Sequence, residues 1–426
     1  MAIIVITSYG TLGDILPLVA LGVALKSQGH QVRMAINESM KSYAFKAGLE
    51  AVSNGRLDLG KNEAQKYSQS WNHWFNKGTL SEQFEQNMFS RNRLEYDLTH
   101  SVKHLLKVCQ DADLLISTPQ QNLISAIVHD KIALPWISAS VTPDLYCLEK
   151  NNSSNTLVKT VSTSEQIASL QLQISEIAQK VRQSIGLTKI SPQDWNSYGE
   201  SKNIILGSSE YFSQPSKKYS HITQTGFWFY EDPEWIDWRP HNELKEFVET
   251  THKLLVLSFS SQPVEKTGSV IAVHVRAAAK LGYRILIQQG WADFNESFLP
   301  SDIDRNNVMF TGFMPQDWLF SRAAALIYHG GIGTTARALR NGCPVIVEPY
   351  GNDQFFNAKQ IVSLKLGTAI NPTLTNSDEL VRVLRKILTP EYKRRCQTFG
   401  AKIRQEQGID KACNFINEQL FIKKTN

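Results

Sequence analysis

A glycine-rich turn in the second half of the chain carries the strongest chemical signal. It follows an apolar strand, opens a helix and runs His329-Gly330-Gly331-Ile332-Gly333-Thr334-Thr335. Glycines let a ligand approach the backbone, and the free N–H groups at a helix N-terminus attract an anion. His329 and Thr334 add hydrogen-bond donors. The turn therefore predicts a diphosphate site; the competing interpretation is an ordinary turn with His329 in the core.

An acid and an amide stand side by side just beyond the next strand. Asp353 and Gln354 lie on the loop that follows the predicted strand at residues 344–348. A carboxylate accepts hydrogen bonds and an amide both donates and accepts them, which suits a ligand rich in hydroxyl groups, such as a sugar. The competing interpretation is that Asp353 caps the following helix.

A third candidate, Asp14, lies near the N-terminus. It follows Gly13 in a turn between a first strand and a helix that has Pro17 in its first turn. A carboxylate in a water-poor cleft can take the proton of a reacting hydroxyl group. The competing interpretation is again a helix cap. A dinucleotide-binding fingerprint is not favoured, because the turn lacks the middle glycine of G-x-G-x-x-G.

The elements that must position these residues alternate between strands and helices, which predicts parallel α/β sheets. Apolar runs predict strands at residues 3–7, 31–36, 113–117, 136–139, 204–207, 254–259, 284–288, 308–311, 324–328 and 344–348. Helical patterns cover residues 60–108, 150–200, 269–281, 376–388 and 391–420. Because ligands bind beyond the carboxyl ends of parallel strands, two facing halves would place all three candidate sites in one cleft.

The length of the chain predicts two domains, since a single core rarely grows to 426 residues. We predict a first Rossmann-like domain at residues 1–212 and a second at residues 241–400. The segment between them, residues 213–240, is rich in Pro, Trp and Tyr and weakly periodic, which indicates a linker.

Composition narrows the function further. The net charge is +5 without a long basic block, so we expect no nucleic-acid partner. The five cysteines are widely spaced without a CxxC pair, which favours a reducing cytoplasm over a disulfide framework or a zinc site. The N-terminus has the pattern of a strand rather than of a signal peptide, and no apolar run approaches the roughly 20 residues that span a bilayer.

Several motifs together resemble the UDP-glycosyltransferase family, most closely its sterol glucosyltransferase and related bacterial branch. The match covers most of the chain and is thin between residues 60 and 200. The segments that carry it are Gly10-Thr11-Leu12-Gly13-Asp14-Ile15-Leu16-Pro17, Thr225-Gly226-Phe227-Trp228, Gly290-Trp291, Phe313-Met314-Pro315-Gln316, the turn at residues 329–335, Gly342-Cys343-Pro344 and Asp353-Gln354-Phe355-Phe356.

The resemblance implies a GT-B fold, in which two Rossmann-like doubly wound parallel-sheet domains face each other across a cleft. It also implies that a last helix, at residues 401–426, crosses back to the N-terminal domain. The nucleotide-sugar would lie mainly on the C-terminal domain, with Gly13 beside it. By position, Phe313 would lie against the base, Gln316 near the ribose, Ser261, His329, Gly331, Gly333 and Thr334 at the diphosphate, and Asp353 and Gln354 at the sugar.

Two positions depart from the family pattern. Ser260 stands where relatives usually have glycine in the turn before Ser261, so close backbone approach is not assured there. Arg337 occupies the place where many relatives, especially plant ones, have a glutamate that binds the ribose. The donor nucleotide therefore stays open between UDP and dTDP.

We expect an inverting transfer of a sugar, with glucose favoured, from a UDP-sugar to a hydroxyl group of a lipid-like or polycyclic acceptor. Asp14 would be the general base. The alternatives are a non-catalytic relative that binds a nucleotide-sugar or a lipid, and a nucleotide-sugar epimerase on the same fold. The aromatic residues 71–89 could wall the acceptor pocket, belong to the core or touch a membrane peripherally.

No metal or other cofactor is expected. Two D-x-D sequences, Asp111-Ala112-Asp113 and Asp302-Ile303-Asp304, match the manganese motif of the other glycosyltransferase fold. Neither lies beside the glycine-rich turn, and we predict that they are solvated acids. The N-terminus of a helix can stabilise a departing diphosphate without a metal ion.

Overall fold

The computed structural model describes residues 1–57, 90–147, 164–195, 197–249, 253–373 and 375–425. It contains two fully parallel sheets, each wound by helices, as the sequence predicted. We refer to the seven-stranded sheet with its helices as the first lobe and to the six-stranded sheet with its helices as the second lobe. The aromatic residues 71–89 and the polar run 151–155 lie outside the described residues.

The first lobe has the strand order β3-β2-β1-β4-β5-β6-β7. Its central strands are buried on both faces, which explains their continuous apolar sequences. The strands are β1 (Ile3–Thr7), β2 (Gln31–Ile36), β3 (Glu50–Ser53), β4 (Leu114–Ser117), β5 (Trp136–Ser140), β6 (Ile204–Leu206) and β7 (Thr223–Gln224). The helices are α1 (Leu12–Ser27), α2 (Lys41–Lys46), α3 (Arg91–Val108), α4 (Asn122–Ile132), α5 (Asp144–Cys147), α6 (Ser164–Ser184) and α7 (Pro192–Trp195).

The second lobe has the strand order β10-β9-β8-β11-β12-β13. Its strands are β8 (Leu254–Ser258), β9 (Arg284–Gln288), β10 (Val308–Thr311), β11 (Ala325–Tyr328), β12 (Val345–Val347) and β13 (Gly367–Ala369). Its helices are α8 (Asn242–Glu249), α9 (Thr267–Leu281), α10 (Gln316–Arg322), α11 (Ile332–Arg340), α12 (Gln354–Ser363), α13 (Ser377–Ile387), α14 (Pro390–Gln405) and α15 (Gly408–Thr425).

The order of strands reverses direction once in each sheet. In the first lobe the reversal lies between β1 and β4, and in the second between β8 and β11. Loops that leave such neighbouring strands in opposite directions open a crevice at their carboxyl ends, where ligands bind in this architecture. Asp14 follows β1, Ser261 follows β8 and His329 follows β11, so these three candidate residues lie at the two switch points.

The segment predicted as a linker is more structured than its weak periodicity indicated. It contributes β7, which pairs with β6. Phe227 packs into the core of the second lobe, and Trp228 packs into the core of the first. The segment therefore joins the lobes through buried contacts on both sides. The predicted boundaries at residues 212 and 240 stay a prediction.

The last helix packs against the first lobe. Residues 391–420, predicted helical, form two helices that separate after Gln405. One face of α15 joins the apolar core of the first lobe through Ala412, Cys413, Ile416 and Leu420, and Asn417 hydrogen-bonds the side chains of Gln28 and His30. Among the described residues, no helix combines the length and apolarity needed to cross a bilayer.

We predict that Ile416→Ala destabilises the protein by about 2–5 kcal/mol, because Ile416 is fully buried against the first lobe and its truncation leaves a cavity. Urea unfolding measures the loss. Glu418→Ala, on the exposed side of the same helix, serves as the matched control and should change stability little. Equal effects of the two substitutions would show that α15 does not dock there.

Candidate active site

The glycine-rich turn forms the N-terminus of α11. Gly331 is the N-cap residue and has no side chain with which to cap the helix. The first backbone N–H groups of a helix lack partners within it, so this end presents donors and a positive partial charge to a ligand. Gly330 has a φ of 98°, and a Cβ there would lie 2.7 Å from Val347. The backbone path of the turn therefore requires glycine.

His329 borders this turn as a neutral donor rather than as a cation. The residue is 7% exposed, and its ring packs edge-on against Phe259 and Tyr328. Burial lowers the pKa of His329 to about 4. Its Nδ1 has no hydrogen-bond partner within the described part of the chain. A Cβ at Gly331 would collide with Nε2 of His329, so the second glycine makes room for the ring.

Asp353 lies beside the start of the neighbouring helix. Although it occupies the N-cap position of α12, its side chain does not cap that helix. Its carboxylate accepts a hydrogen bond from Nδ2 of Asn357 at 2.8 Å, and the backbone N–H of Ile332 in α11 acts to lower its pKa. Burial, and then the charges of Asp144 and Asp14, raise the pKa of Asp353 to about 7 against these two effects. The sugar-site candidate thus adjoins the diphosphate-site candidate.

Gln354 is buried and holds the loop around it. Its Oε1 accepts from the N–H groups of Tyr350, at 2.7 Å, and Gly351, at 3.2 Å. Its Nε2 donates to Oε1 of Gln262 at 2.9 Å. Gln262 belongs to the turn after β8, next to Ser261. The amide therefore connects the loops of β8 and β12.

Asp14 lies in the first turn of α1 and does cap this helix. Its Oδ2 accepts from the N–H of Thr11 at 2.8 Å, and its Oδ1 accepts from Nε2 of Gln120 at 3.4 Å. Gly10 is required here, because a Cβ would overlap the folded-back carboxylate. Burial raises the pKa of Asp14 above its usual value despite the bonds from Thr11 and Gln120. Capping and proton acceptance are compatible in this geometry.

The two candidate turns meet across the cleft. A Cβ built on Gly333, in the first turn of α11, would lie 3.9 Å from the Cα of Gly13, in the first turn of α1. A Cβ on Gly13 would meet no protein atom within 4 Å. The N-termini of two helices from opposite lobes therefore face one another, and Asp14 stands next to the point of closest approach.

The remaining donor-site candidates line the same edge of the second sheet. Phe313 follows β10 with 47% of its surface exposed, and Gln316 begins α10. Three strand spacings separate β10 from β11, roughly 14 Å at the usual distance between strands. This span suits a nucleoside that extends from the glycine-rich turn to the ring of Phe313. Ser261 lies between them, after β8.

Sequence analysis missed Asp144, which begins α5 after β5. Its charge acts on Asp353, and burial raises its own pKa. The signal was present, since an acid followed a predicted strand at Thr142-Pro143-Asp144. Gln120, Gln262 and Asn357 were also missed, because uncharged residues that position others leave no distinct pattern.

The two D-x-D sequences have structural partners. Asp111 pairs with Arg33 at 2.9 Å, and Asp113 accepts from the N–H of Ile3. Asp302 pairs with Arg276 at 3.0 Å, and Asp304 accepts from the N–H of Asn306. No group of three or more metal-ligating side chains occurs within the described ranges. The absence of a required metal stays a prediction.

Two family models match the two lobes. Residues 4–145 match the glycosyltransferase family 28 N-terminal domain, and residues 297–411 match the erythromycin biosynthesis protein CIII-like C-terminal domain. They cover the loops that carry Asp14 and the glycine-rich turn. One model thus matches within each lobe, and the fold of the chain is that of the GT-B glycosyltransferases. The resemblance to glycosyltransferases that the motifs indicated is thereby confirmed.

Relatives and solved structures agree with this family. A sterol 3-beta-glucosyltransferase of Debaryomyces hansenii is 25% identical over 443 residues, covering 97% of this chain and 26% of that protein. Among structures, the glycosyltransferase of kitacinnamycin has a TM-score of 0.70 at 17% identity, with 98% and 99% of the chains covered. VinC in complex with dTDP has a TM-score of 0.64 at 15% identity, with 100% of both chains covered.

The chain spans about a quarter to a third of the length of the fungal relatives it matches, namely 26%, 33% and 34% of three of them.

The structure accommodates both departures from the glycosyltransferase pattern. Ser260 adopts the left-handed conformation, with a φ of 49°, where relatives use glycine. Its carbonyl oxygen accepts from the N–H of Trp291 at 2.8 Å. Arg337 pairs with Glu231 and Asp317 and packs over Phe229, so its charge ties the interlobe segment to α11.

We predict that Asp353 lowers the free energy of unfolding as pH rises from about 4 to 7, whereas the lowered pKa of His329 acts in the opposite direction up to about pH 6.5. The pKa of Asp353 is about 7 in the folded protein and near ~3.9 in the unfolded chain, so in this window the folded state keeps a proton that the unfolded state has released. Asp353→Asn removes the contribution of Asp353, so the stability of this variant relative to the wild type should increase from pH 5 to pH 8. Urea unfolding at pH 5 and pH 8 tests this, with exposed Asp237→Asn as control. Equal slopes for wild type and Asp353→Asn would refute the shift.

Proposed function

We propose that this glycosyltransferase moves a sugar, with glucose favoured, from a nucleoside-diphosphate donor to a hydroxyl group of a lipid-like or polycyclic acceptor, with inversion at the anomeric carbon. The close approach of Gly13 and Gly333 carries this proposal. It brings a carboxylate of one lobe beside an anion-binding helix N-terminus of the other. That is the pairing that such a displacement needs.

The proposed reaction is a single displacement. The acceptor oxygen attacks the anomeric carbon while Asp14 takes its proton, and the bond from that carbon to the diphosphate oxygen breaks on the opposite face. The N–H groups of Gly333 and Thr334 stabilise the departing negative charge, and neutral His329 donates one hydrogen bond. Asp353 accepts hydrogen bonds from the hydroxyl groups of the sugar.

Asp14 suits the role of base in two respects. Burial raises its pKa, which makes the carboxylate a better proton acceptor than a solvated one. Thr11 and Gln120 fix its orientation. The bond from Gln120 is long at 3.4 Å, so the oxygen that it contacts can turn to a reacting hydroxyl group.

The relatives indicate the substrates. Sterol 3-beta-glucosyltransferases of fungi and of Arabidopsis thaliana support a glucosyl donor and a sterol-like acceptor. The dTDP bound to VinC keeps a thymidine nucleotide open. All five cysteines are free thiols, which supports a cytoplasmic location. Peripheral contact with the membrane that holds a lipid acceptor is part of the proposal.

A turnover assay tests the proposal. The protein is incubated with UDP-glucose, UDP-galactose, UDP-glucuronate or dTDP-sugars and a panel of sterols, flavonoids and glycolipids, and products are detected by mass spectrometry. We expect a glycosylated acceptor. Conversion of the donor without an acceptor would instead identify an epimerase, and tight UDP binding without turnover would identify a binding protein.

We predict that Asp14→Asn lowers kcat by about 10²- to 10⁴-fold, the usual contribution of a general base. UDP affinity, measured by calorimetry, should stay near that of the wild type, because asparagine keeps an oxygen that caps α1. Asp237→Asn, a change of the same kind on the surface, should keep full activity. Retained turnover in Asp14→Asn would remove Asp14 from this role.

We also predict that transfer survives EDTA, because the N-terminus of α11 supplies the electrostatic stabilisation. Initial rates are compared before and after dialysis against the chelator and after addition of Mg²⁺ or Mn²⁺. A strict requirement for either ion would contradict this account.

A further inference from the structure

The second lobe contains a cavity of about 480 Å³ that the reaction above does not use. Its walls come from the loop after β8, the first turns of α9, the end of β12 and the loop after β13. The volume lies within the usual range for sites that bind small molecules. Among the described residues that line it, none is a candidate for the donor site.

The cavity and the glycine-rich turn lie on opposite faces of the second sheet. Successive side chains of a strand point to alternate faces. Val347 belongs to the apolar cluster that contains Ile332 of α11, whereas Ile346 belongs to the cluster that contains the buried residues of α9. Glu348 follows β12 and hydrogen-bonds His274 of α9, so its side chain shares the face of Ile346. A ligand in the cavity would therefore leave the diphosphate site free.

A buried ion pair forms the inner wall of the cavity. His274 is 3% exposed and Glu348 is 2% exposed. Nε2 of His274 donates to Oε1 of Glu348 at 2.7 Å, and Nδ1 donates to the carbonyl oxygen of Val270 at 2.7 Å. Burial lowers the pKa of His274, but the charge of Glu348 and these bonds outweigh burial and raise it. Buried ion pairs add little stability compared with apolar residues, which is a reason to look for another role.

Two polar groups of this wall are open to the cavity. Oε2 of Glu348 and the hydroxyl group of Tyr350 make no hydrogen bond within the described part of the chain, and protein atoms do not enclose them. Tyr350 is 7% exposed, and burial followed by the charge of Glu348 raises its pKa. The carboxylate accepts a hydrogen bond and the phenol donates one, so a ligand hydroxyl group could satisfy both.

The other walls favour a neutral ligand with a carbon skeleton. The exposed rim carries Glu265 and Lys266, whose formal charges cancel, as do those of the ion pair. An ionic ligand therefore gains no net attraction. Apolar surface is supplied by Val264, Val270 and Val273.

We infer that this cavity binds a neutral sugar or polyol at a site separate from the nucleotide-sugar donor. Glu348 accepts a hydrogen bond from one of its hydroxyl groups, and Tyr350 donates to the same or a neighbouring one. The carbon skeleton packs against the valines. The inference does not depend on the proposed reaction.

The test titrates the protein, with UDP in excess, with D-glucose, D-galactose, D-mannose, N-acetyl-D-glucosamine and myo-inositol. Ligand-observed NMR and calorimetry report binding, and we expect at least one of these probes to bind. Tyr350→Phe leaves the ion pair intact and should weaken that probe about 2- to 10-fold, the usual effect of losing one neutral hydrogen bond. Glu348→Gln should weaken it about 10-fold, because the acceptor loses its charge.

Two controls locate the bound probe. Asp353→Asn changes the proposed sugar contact of the donor site and should leave the affinity unchanged, as should exposed Asp237→Asn. Thermal unfolding shows whether Glu348→Gln is folded, and Tyr350→Phe decides the point if it is not. Absence of binding by all five probes would mean that the cavity holds only water. That result, an affinity that Tyr350→Phe does not change, or an equal loss in Asp353→Asn would overturn the inference.

Discussion

Backbone N–H groups can hold a diphosphate only where side chains leave room for it, and this constraint shapes both faces of the cleft. Gly333 and Gly13 bring the first turns of α11 and α1 into near contact. Gly331 makes space for His329, and Gly10 makes space for the carboxylate of Asp14. Each glycine thus removes an obstacle to one group of the site. The two Rossmann-like sheets serve this approach, since their reversals of strand order bring α1 and α11 to the same crevice.

Several ionisable groups in the cleft lie in surroundings that disfavour their charged forms. Burial keeps His329 neutral and raises the pKa of Asp14, Asp144 and Asp353. Three carboxylates in one region repel each other when they are ionised, and this repulsion lowers the stability of the folded protein. Groups with shifted pKa values concentrate at functional sites, because a catalytic group needs a pKa that differs from its value in water. The N-terminus of α11 partly offsets the charge, since the N–H of Ile332 acts to lower the pKa of Asp353.

Much of this fold could be predicted from the hydrophobic pattern, because buried parallel strands have continuous apolar sequences. Ile3–Thr7, Gln31–Ile36, Arg284–Gln288 and Val308–Thr311 were predicted with the bounds that the structure shows. Short strands at the sheet edges, such as Thr223–Gln224 and Gly367–Ala369, escaped prediction, since two or three residues carry no period. The glycine-rich turn and the acids could be found from residue type. The roles of the other site residues depend on tertiary hydrogen bonds that the sequence does not reveal. The amide of Gln354, for example, links loops that are distant in sequence.

A crystal structure with bound UDP tests the central claim most directly. The account predicts that the diphosphate oxygens accept hydrogen bonds from the N–H groups of Gly333 and Thr334, with the β-phosphate turned toward Asp14 and the base against Phe313. A nucleotide bound elsewhere, or a diphosphate out of reach of the first turn of α11, would contradict it.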